Sequence, residues 1–390
     1  MVKFIHTADW QIGKPYNRIQ DEEKRVRLKD ERYKAIERIR DVVTEEEAQF
    51  VMVAGDLFDS PTPTKSTVVN TLEKIGQLRV PVYVIPGNHD FGGPGSLWEQ
   101  PFFLAEKEQL APNLMVLMEA KPLVLDTAIL FPCPLLKRHE TSDVLAWLND
   151  ETLFSDLPQN LPRIILAHGS VQGFDSESLE EDDFGVANFI NLNRLNLSEF
   201  DYVALGDWHG TKQINTKSWY SGTHEIDRFP KGDENQPGNI LIVEASRKEA
   251  PVVAIKRTTG MNWHNMNEVL RSEEDVLAFQ EKVYALTANR TNADLLQLTV
   301  AGALSLSEWE FYKEVLGAIN ARLIRVKTYG EIAVAPSEEE VLSLSTGSGN
   351  QLAEKVAKKL IEQLDSTNKE EAEVALIALR ELYIQLKNQN

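Results

Sequence analysis

Five times before residue 210, a short apolar run breaks off into a cluster of Gly with Asp, Asn, Gln or His. The runs are 3–7, 50–54, 80–85, 164–167 and 202–205, and each is too short for a buried helix yet the right length for a buried strand. The clusters that follow them hold Asp9 and Gln11, Gly55 and Asp56, Gly87 with Asn88 and His89, His168 and Gly169, and Gly206 with Asp207 and His209. Amphipathic stretches at 22–47 and 64–78 lie between the first three runs, as crossover helices between parallel strands do. Loops at the carboxyl ends of such strands converge on one crevice, so residues scattered over 200 positions are expected to form a single site. Gly55, Gly87, Gly169 and Gly206 are expected at strand-to-loop turns that need unusual backbone angles.

Shorter runs at 114–117, 123–125, 129–131, 240–243 and 252–255 suggest a second, more antiparallel sheet. The expected fold is α/β, a two-sheet sandwich flanked by helices over residues 1–260. The texture then changes to helix 272–286, strand 295–301, helix 307–321 and strand 323–327, a small α/β domain over 261–340. Residues 341–390 comprise a polar, Gly-containing linker at 343–350 and two helices at 352–364 and 370–386. Leu352, Val356, Leu360 and Leu364 recur at helical spacing, as do Val374, Ile377, Leu382 and Leu386. Those stripes must be covered by the domain, by a copy of the chain in a homodimer, or by a partner.

The single cysteine, Cys133, excludes an intramolecular disulfide and a thiolate metal cage, so any metal here must use oxygen and imidazole ligands. Mixed carboxylate, amide and imidazole donors suit Mn, Fe or Zn, with Mn favoured as oxygen accumulates. No stretch approaches the ~18 apolar residues of a membrane span and the start lacks a signal-peptide layout, so a cytoplasmic protein with no membrane contact is expected. The net charge of -19 argues against a simple polyanion binder, although residues 14–40 carry ten Lys and Arg against six Asp and Glu. Residues 175–183, six of nine of them acidic, are expected to form a solvated loop.

Taken together, these clusters resemble the calcineurin-like metallophosphoesterases, whose pattern is Asp-x-His, Gly-Asp-x-x-Asp, Gly-Asn-His-Asp/Glu, a His, and Gly-His-x-His. The matching stretches are Asp9 to Gln11, Gly55 to Asp59, Gly87 to Asp90, His168 with Gly169, and Gly206 to His209. The opening His6 to Trp10, the Gly55 to Asp59 stretch and Tyr220 to Gly222 look like SbcD-type DNA exonuclease subunits. The resemblance spans roughly the first 260 residues and implies an αββα core with the small domain as a cap.

It also implies two divalent ions, Mn2+ above all, one on Asp9, Gln11, Asp56 and His209 and the other on Asp56, Asn88, His168 and Asp207, with Asp56 bridging. Such a pair activates a water for in-line attack on phosphorus. His89 would stabilise the developing charge and protonate the leaving oxygen, and Asp59 would accept the other ring N–H of His89. Gln11 and Asp207 depart from the pattern, since the family carries histidine at both places; a carboxylate at 207 hardens the site toward Mn or Mg. His224, on the loop after the last ligand, is a substrate-binding candidate, while His6 reads as buried packing.

The function implied is hydrolysis of DNA phosphodiesters as the nuclease subunit of an SbcCD-like complex, with an SMC-like (SbcC-type) ATPase whose coiled coil the C-terminal helices would grip. The partner would also bring the basic surface that this acidic chain lacks. A phosphatase or phosphodiesterase for nucleotides or other small esters is the alternative. Ser60 with Pro61, and Asp90, disfavour the phosphoprotein phosphatases, which carry Arg-Gly and Glu there. A non-catalytic assembly subunit follows if Gln11 and Asp207 abolish metal binding.

Overall fold

The computed structural model describes residues 1–171, 188–229, 236–288, 290–334, 340, 351–364 and 366–387. The acidic stretch 175–183 and the linker 343–350 lie outside the described residues. The chain divides into two compact units, Met1–Asn262 and Trp263–Asn390.

The first unit is a sandwich of two six-stranded sheets. One sheet runs from edge to edge through Val252–Arg257, Asn239–Ala245, Val2–Thr7, Val51–Ala54, Val82–Ile85 and Leu114–Val116. The other runs through Lys212–Gln213, Ser218–Tyr220, Tyr202–Gly206, Arg163–His168, Ile129–Cys133 and Leu123–Val124. In each the central strands are parallel and antiparallel pairs lie at the edges. The runs at 114, 240 and 252 therefore extend the first sheet rather than forming a second antiparallel one. Apolarity alone does not encode which sheet a strand joins, because a strand buried on both faces reads the same in either.

Alternate residues of each strand feed different cores. Phe4, Met52, Ala54 and Ile85 interleave between the sheets with Leu130, Ile164, Leu166 and Ala204. Their neighbours Ile5, Val51, Val53 and Val84 face the other way, against Ile36, Ile39 and Leu72 of the flanking helices. On the far side of the second sheet, Phe131, Ile165, Val203 and Leu205 meet Leu148, Leu192 and Phe200, carried here by 3-10 turns and loops. Each fully buried Val, Leu, Ile, Phe or Met among them contributes ~1.5–3 kcal/mol.

Helix Glu22–Glu45 starts where Asp21 accepts the backbone N–H of Lys24 at 3.1 Å, with Glu22 and Glu23 beside the positive end of the helix dipole. Thr64 caps Lys65–Gly76 in the same way. A third helix, Pro101–Leu110, has no counterpart in the sequence reading; Pro101 opens it, but only Phe103 is buried, so its apolar pattern is weak.

The second unit contains a three-stranded sheet, Asn262–Leu270, Asp294–Leu304 and Arg325–Val334, the last two parallel. Helices Glu273–Leu286 and Leu306–Arg322 cover it through Val276, Phe279, Val315 and Ile319. The Ser305 and Glu308 pair forms a capping box at the start of the second. Helices Gln351–Leu364 and Lys369–Lys387 pair with each other, and Ala357 and Leu379 pack with Leu306 and Val334. No helix among the described residues is long and apolar enough to cross a membrane.

Candidate metal centre

The strand ends are laced together beyond the sheets. Asp9 and Gln11 donate their N–H groups to the carbonyls of Gly55 and Asp56 at 3.1 and 2.9 Å, and Gly169 donates to Gly206 at 3.1 Å. Four non-glycine residues of the site hold left-handed backbone angles, Asp9 (φ 52°), Gln11 (40°), Asp56 (53°) and Asp207 (101°). Each costs ~1–2 kcal/mol, and their concentration here aims side chains inward.

Gly55 and Gly169 have positive φ as expected, 87° and 146°. Gly87 and Gly206 do not. What excludes a side chain there is space, since a Cβ on Gly87 would run into the Asp56 carboxylate and one on Gly206 into the Ala54 carbonyl and His168.

His168 is fully buried and donates Nδ1–H to the Ala54 carbonyl at 2.7 Å, which leaves the lone pair of the neutral ring on Nε2. That nitrogen faces Asn88 Oδ1 at 3.1 Å, Asp56 Oδ1 at 3.6 Å and Asp207 Oδ1 at 3.8 Å. Asp9, Asp56 and His168 bring ligand atoms within 4.8 Å of one another. Four acceptors facing one point repel unless a cation sits among them, so this donor set fits a divalent metal. The electrostatics of the cluster point the same way: burial lowers the His168 imidazole, but Asp56, Asp9 and Asp207 outweigh it and raise its pKa to about 9. Burial, with repulsion from Asp56 and Asp207, pushes the Asp9 carboxyl well above the usual carboxylate range. Ser170 donates to Asp207 Oδ2 at 2.7 Å, and the Asp207 N–H lies 3.2 Å from both oxygens of Asp9.

The surroundings of His209 and Gln11 are different. The ammonium of Lys14 donates to Gln11 Oε1 at 2.8 Å, and because an ammonium only donates, this contact fixes the amide with its oxygen toward Lys14. Gln11 Nε2 then stands 3.3 Å from His209 Nε2 and 3.5 Å from Asp56 Oδ2. Gln11, expected as a metal ligand, thus turns its NH2 and not its acceptor oxygen toward His209 and Asp56. His209 donates Nδ1–H to Asp227 at 3.1 Å, and Arg228 Nη2 lies 3.1 Å from the same nitrogen. Burial and then Arg228 lower the His209 pKa to about 4, keeping the ring neutral. Asp227 and Lys14 are functional neighbours that sequence reasoning missed; a buried acid five residues after Gly222 and a lysine three after Gln11 match no motif spacing.

His89 is half-buried, with its backbone N–H on Asp56 Oδ1 at 2.9 Å. Its Nδ1–H donates to the main-chain carbonyl of Asp59 at 2.9 Å. The Asp59 carboxylate lies instead 3.6 Å from Lys14. Asp90 is buried and accepts from the N–H groups of Phe58 and Gly87 at 3.0 and 2.8 Å, tying two ligand loops together.

His224 is fully buried, stacks near Trp10 with ring centroids 5.3 Å apart, and pairs Nε2 with the Arg32 carbonyl at 2.9 Å. The side chain of His224, expected as a substrate-binding candidate, is therefore enclosed by Trp10 and the Arg32 carbonyl. Arg32, one of the basic residues of the first helix, is buried and donates to the carbonyls of Trp10, Asp9 and Glu225 at 2.8, 3.1 and 3.3 Å. His6 is buried as expected, between Tyr202 and the Leu205 carbonyl.

Comparison with known proteins agrees with this geometry. A family model described as calcineurin-like phosphoesterase matches residues 2–234, the span that carries every residue named at the site. The chain is also similar to the SbcD component of the nuclease SbcCD of Staphylococcus epidermidis, 26% identical over 263 residues. That alignment covers 62% of this chain and 66% of the relative, just short of two thirds of its length. With more than half of its residues inside the family match and the acceptor cluster at its strand ends, the chain belongs to the calcineurin-like phosphoesterases, metal-dependent hydrolases of phosphate esters.

Proposed function

We propose that the chain hydrolyses DNA phosphodiesters with Mn2+ as its metal, as the nuclease subunit of an SbcCD-like complex. The observation that carries the hydrolytic part is the set of facing acceptors on Asp56, Asn88, His168 and Asp207, completed by Asp9. Asp9, Asp56, Asn88, His168 and Asp207 would hold the metal, which when bound would supply positive charge to a phosphate oxygen and acidify water. The oxygen-rich ligand set favours Mn2+ over Zn2+.

The chain's own residues supply the rest. His89 stands with Nε2 3.9 Å from Asp56 Oδ2, its ring turned by the Asp59 carbonyl. Burial lowers its pKa, but Asp56 and that carbonyl prevail and raise it above the ordinary value, so the ring can carry a proton to a departing oxygen. On the His209 side stand the Lys14 ammonium and the Arg228 guanidinium, each paired with Asp227, at 3.0 and 3.2 Å, whose N–H groups can donate to a phosphate oxygen.

The nuclease relative supports DNA as substrate and an SbcC-type ATPase as partner. The terminal helices support the partner: they bury Ala357 and Leu379 yet leave Leu352 on one helix 71%, and Val374 and Ile377 on the other 61% and 59%, exposed, apolar positions suited to a coiled coil. End-labelled single-stranded, duplex and hairpin DNA, incubated with Mn2+ with and without the neighbouring ATPase, tests the proposal. Cleavage of DNA, stimulated by the ATPase and ATP, is expected. Turnover of bis-nitrophenyl phosphate or nucleotides without DNA cleavage would instead establish a small-ester phosphodiesterase. Leu352→Glu with Ile377→Glu should abolish co-purification with the ATPase and leave basal hydrolysis intact.

A further inference from the structure

The two halves of the constellation differ in a way that the motif does not reveal. Around His168 Nε2 the facing atoms are all acceptors, at 3.1 to 3.8 Å, and added positive charge there, a metal ion or a proton on the ring, reconciles them. Around His209 Nε2 the reconciliation is already made by the protein. The Gln11 amide nitrogen lies 3.3 Å from that ring nitrogen and 3.5 Å from Asp56 Oδ2, so its two N–H groups can link the same imidazole and carboxylate that a metal would join. Three contacts hold the amide in this sense. Lys14 occupies Gln11 Oε1 at 2.8 Å, Lys14 is itself held by Asp227 at 3.0 Å, and Asp227 orients His209 at 3.1 Å. A guanidinium, that of Arg228, lies 3.1 and 3.4 Å from the two nitrogens of the His209 ring. The Lys14 ammonium and the Arg228 guanidinium are both paired with the buried Asp227 carboxylate, at 3.0 and 3.2 Å, so a self-contained ion-pair cluster, and not a set of facing acceptors, occupies the surroundings of His209.

We propose that this chain binds a single divalent ion tightly, at Asp9, Asp56, Asn88, His168 and Asp207, and that the Gln11 amide with the Lys14 ammonium takes the place of the other. The hydrogen-bond donors on the His209 side are then supplied by side chains that cannot dissociate. This inference rests on the metal-dependent reading of the site, and it departs from the two-ion expectation because the residues present on the His209 side do not fit a metal. Gln11, Lys14 and Asp227 act as a unit: a His at 11 would offer a ligand nitrogen, whereas a Gln held by a lysine offers hydrogens.

The test is a count of ions on the intact chain. Metal-free protein is dialysed against micromolar Mn2+ and the bound metal measured by elemental analysis, with electron paramagnetic resonance to separate isolated from exchange-coupled Mn2+. About one ion per chain and an isolated-ion spectrum are expected, against about two in a two-metal site. Gln11→His combined with Lys14→Ala should raise the count to about two and produce exchange coupling. A wild-type count of two, or of none, overturns the proposal. A folded double variant that stays at one shows that Gln11 and Lys14 are not the reason, and overturns the assignment to them. Should the double variant not fold, the wild-type count and spectrum still decide. Because no DNA enters the measurement, a chain that binds one ion and cleaves no DNA refutes the nuclease reading alone, and one that binds two and cleaves DNA refutes this one alone.

Discussion

Asp227 Oδ1 accepts the Nδ1–H of His209 at 3.1 Å, while its other oxygen lies 3.0 Å from the Lys14 ammonium. One fully buried carboxylate thus sets the tautomer of a site histidine and the position of a site lysine. Partners that orient the histidines of a metal site are worth about 10- to 100-fold in metal affinity or activity, and breaking a buried charge pair costs about 3 kcal/mol. Asp227→Asn should therefore lower turnover of bis-nitrophenyl phosphate by about 10- to 100-fold and shift the urea unfolding midpoint downward. Unchanged turnover would show that the His209 tautomer is irrelevant.

Asp56 and His89 should separate metal binding from chemistry. Asp56 faces both His168 at 3.6 Å and the Gln11 amide at 3.5 Å, so Asp56→Ala is expected to lose metal and hydrolysis together. His89→Gln should keep metal and lose about 10²- to 10⁴-fold in turnover. Elemental analysis beside a steady-state assay checks both, and metal loss in the His89 variant would move that residue into the ligand set.

Gly87 offers a steric test. A Cβ there would enter the space of the Asp56 carboxylate and the Asp56 backbone nitrogen, although Gly87 itself has an ordinary φ. Gly87→Ala is expected to displace Asp56 and abolish metal uptake in calorimetry, while far-ultraviolet circular dichroism stays at the wild-type level. Normal metal affinity would mean that the loop yields at little cost.

Cys133 should be silent in the native state. It lies buried in the second sheet's outer core, accepts the Trp147 indole N–H at 3.4 Å, and burial pushes its thiol up to about 12. A thiol acid this weak is almost wholly protonated at pH 8, and only the thiolate reacts. No labelling by a disulfide reagent is expected at pH 8, and full labelling in guanidinium. Rapid native labelling would contradict the packing around Phe131 and Trp147.

The order of strands, crossover helices and polar clusters along the chain was enough to determine the two-sheet sandwich and the gathering of Asp9, Asp56, Asn88, His168 and Asp207. Those are properties of a residue's position relative to the end of its own strand, and local apolar periodicity encodes that position. Which sheet the runs at 114, 240 and 252 would join was decided only by tertiary packing, since all of them are apolar and any buried sheet accepts such a strand. The orientations of Gln11, His89 and His224 were decided in the same way. Gln11 lies 198 positions from His209, and only the folded chain brings Lys14, Asp227 and Arg228 around the pair. His224 carries a motif-like position yet is buried on Trp10 and the Arg32 carbonyl. Spacing determines which side chains can reach a site, but whether each arrives as a donor or an acceptor depends on partners distant in sequence, because a buried polar atom takes the orientation that satisfies its hydrogen bonds.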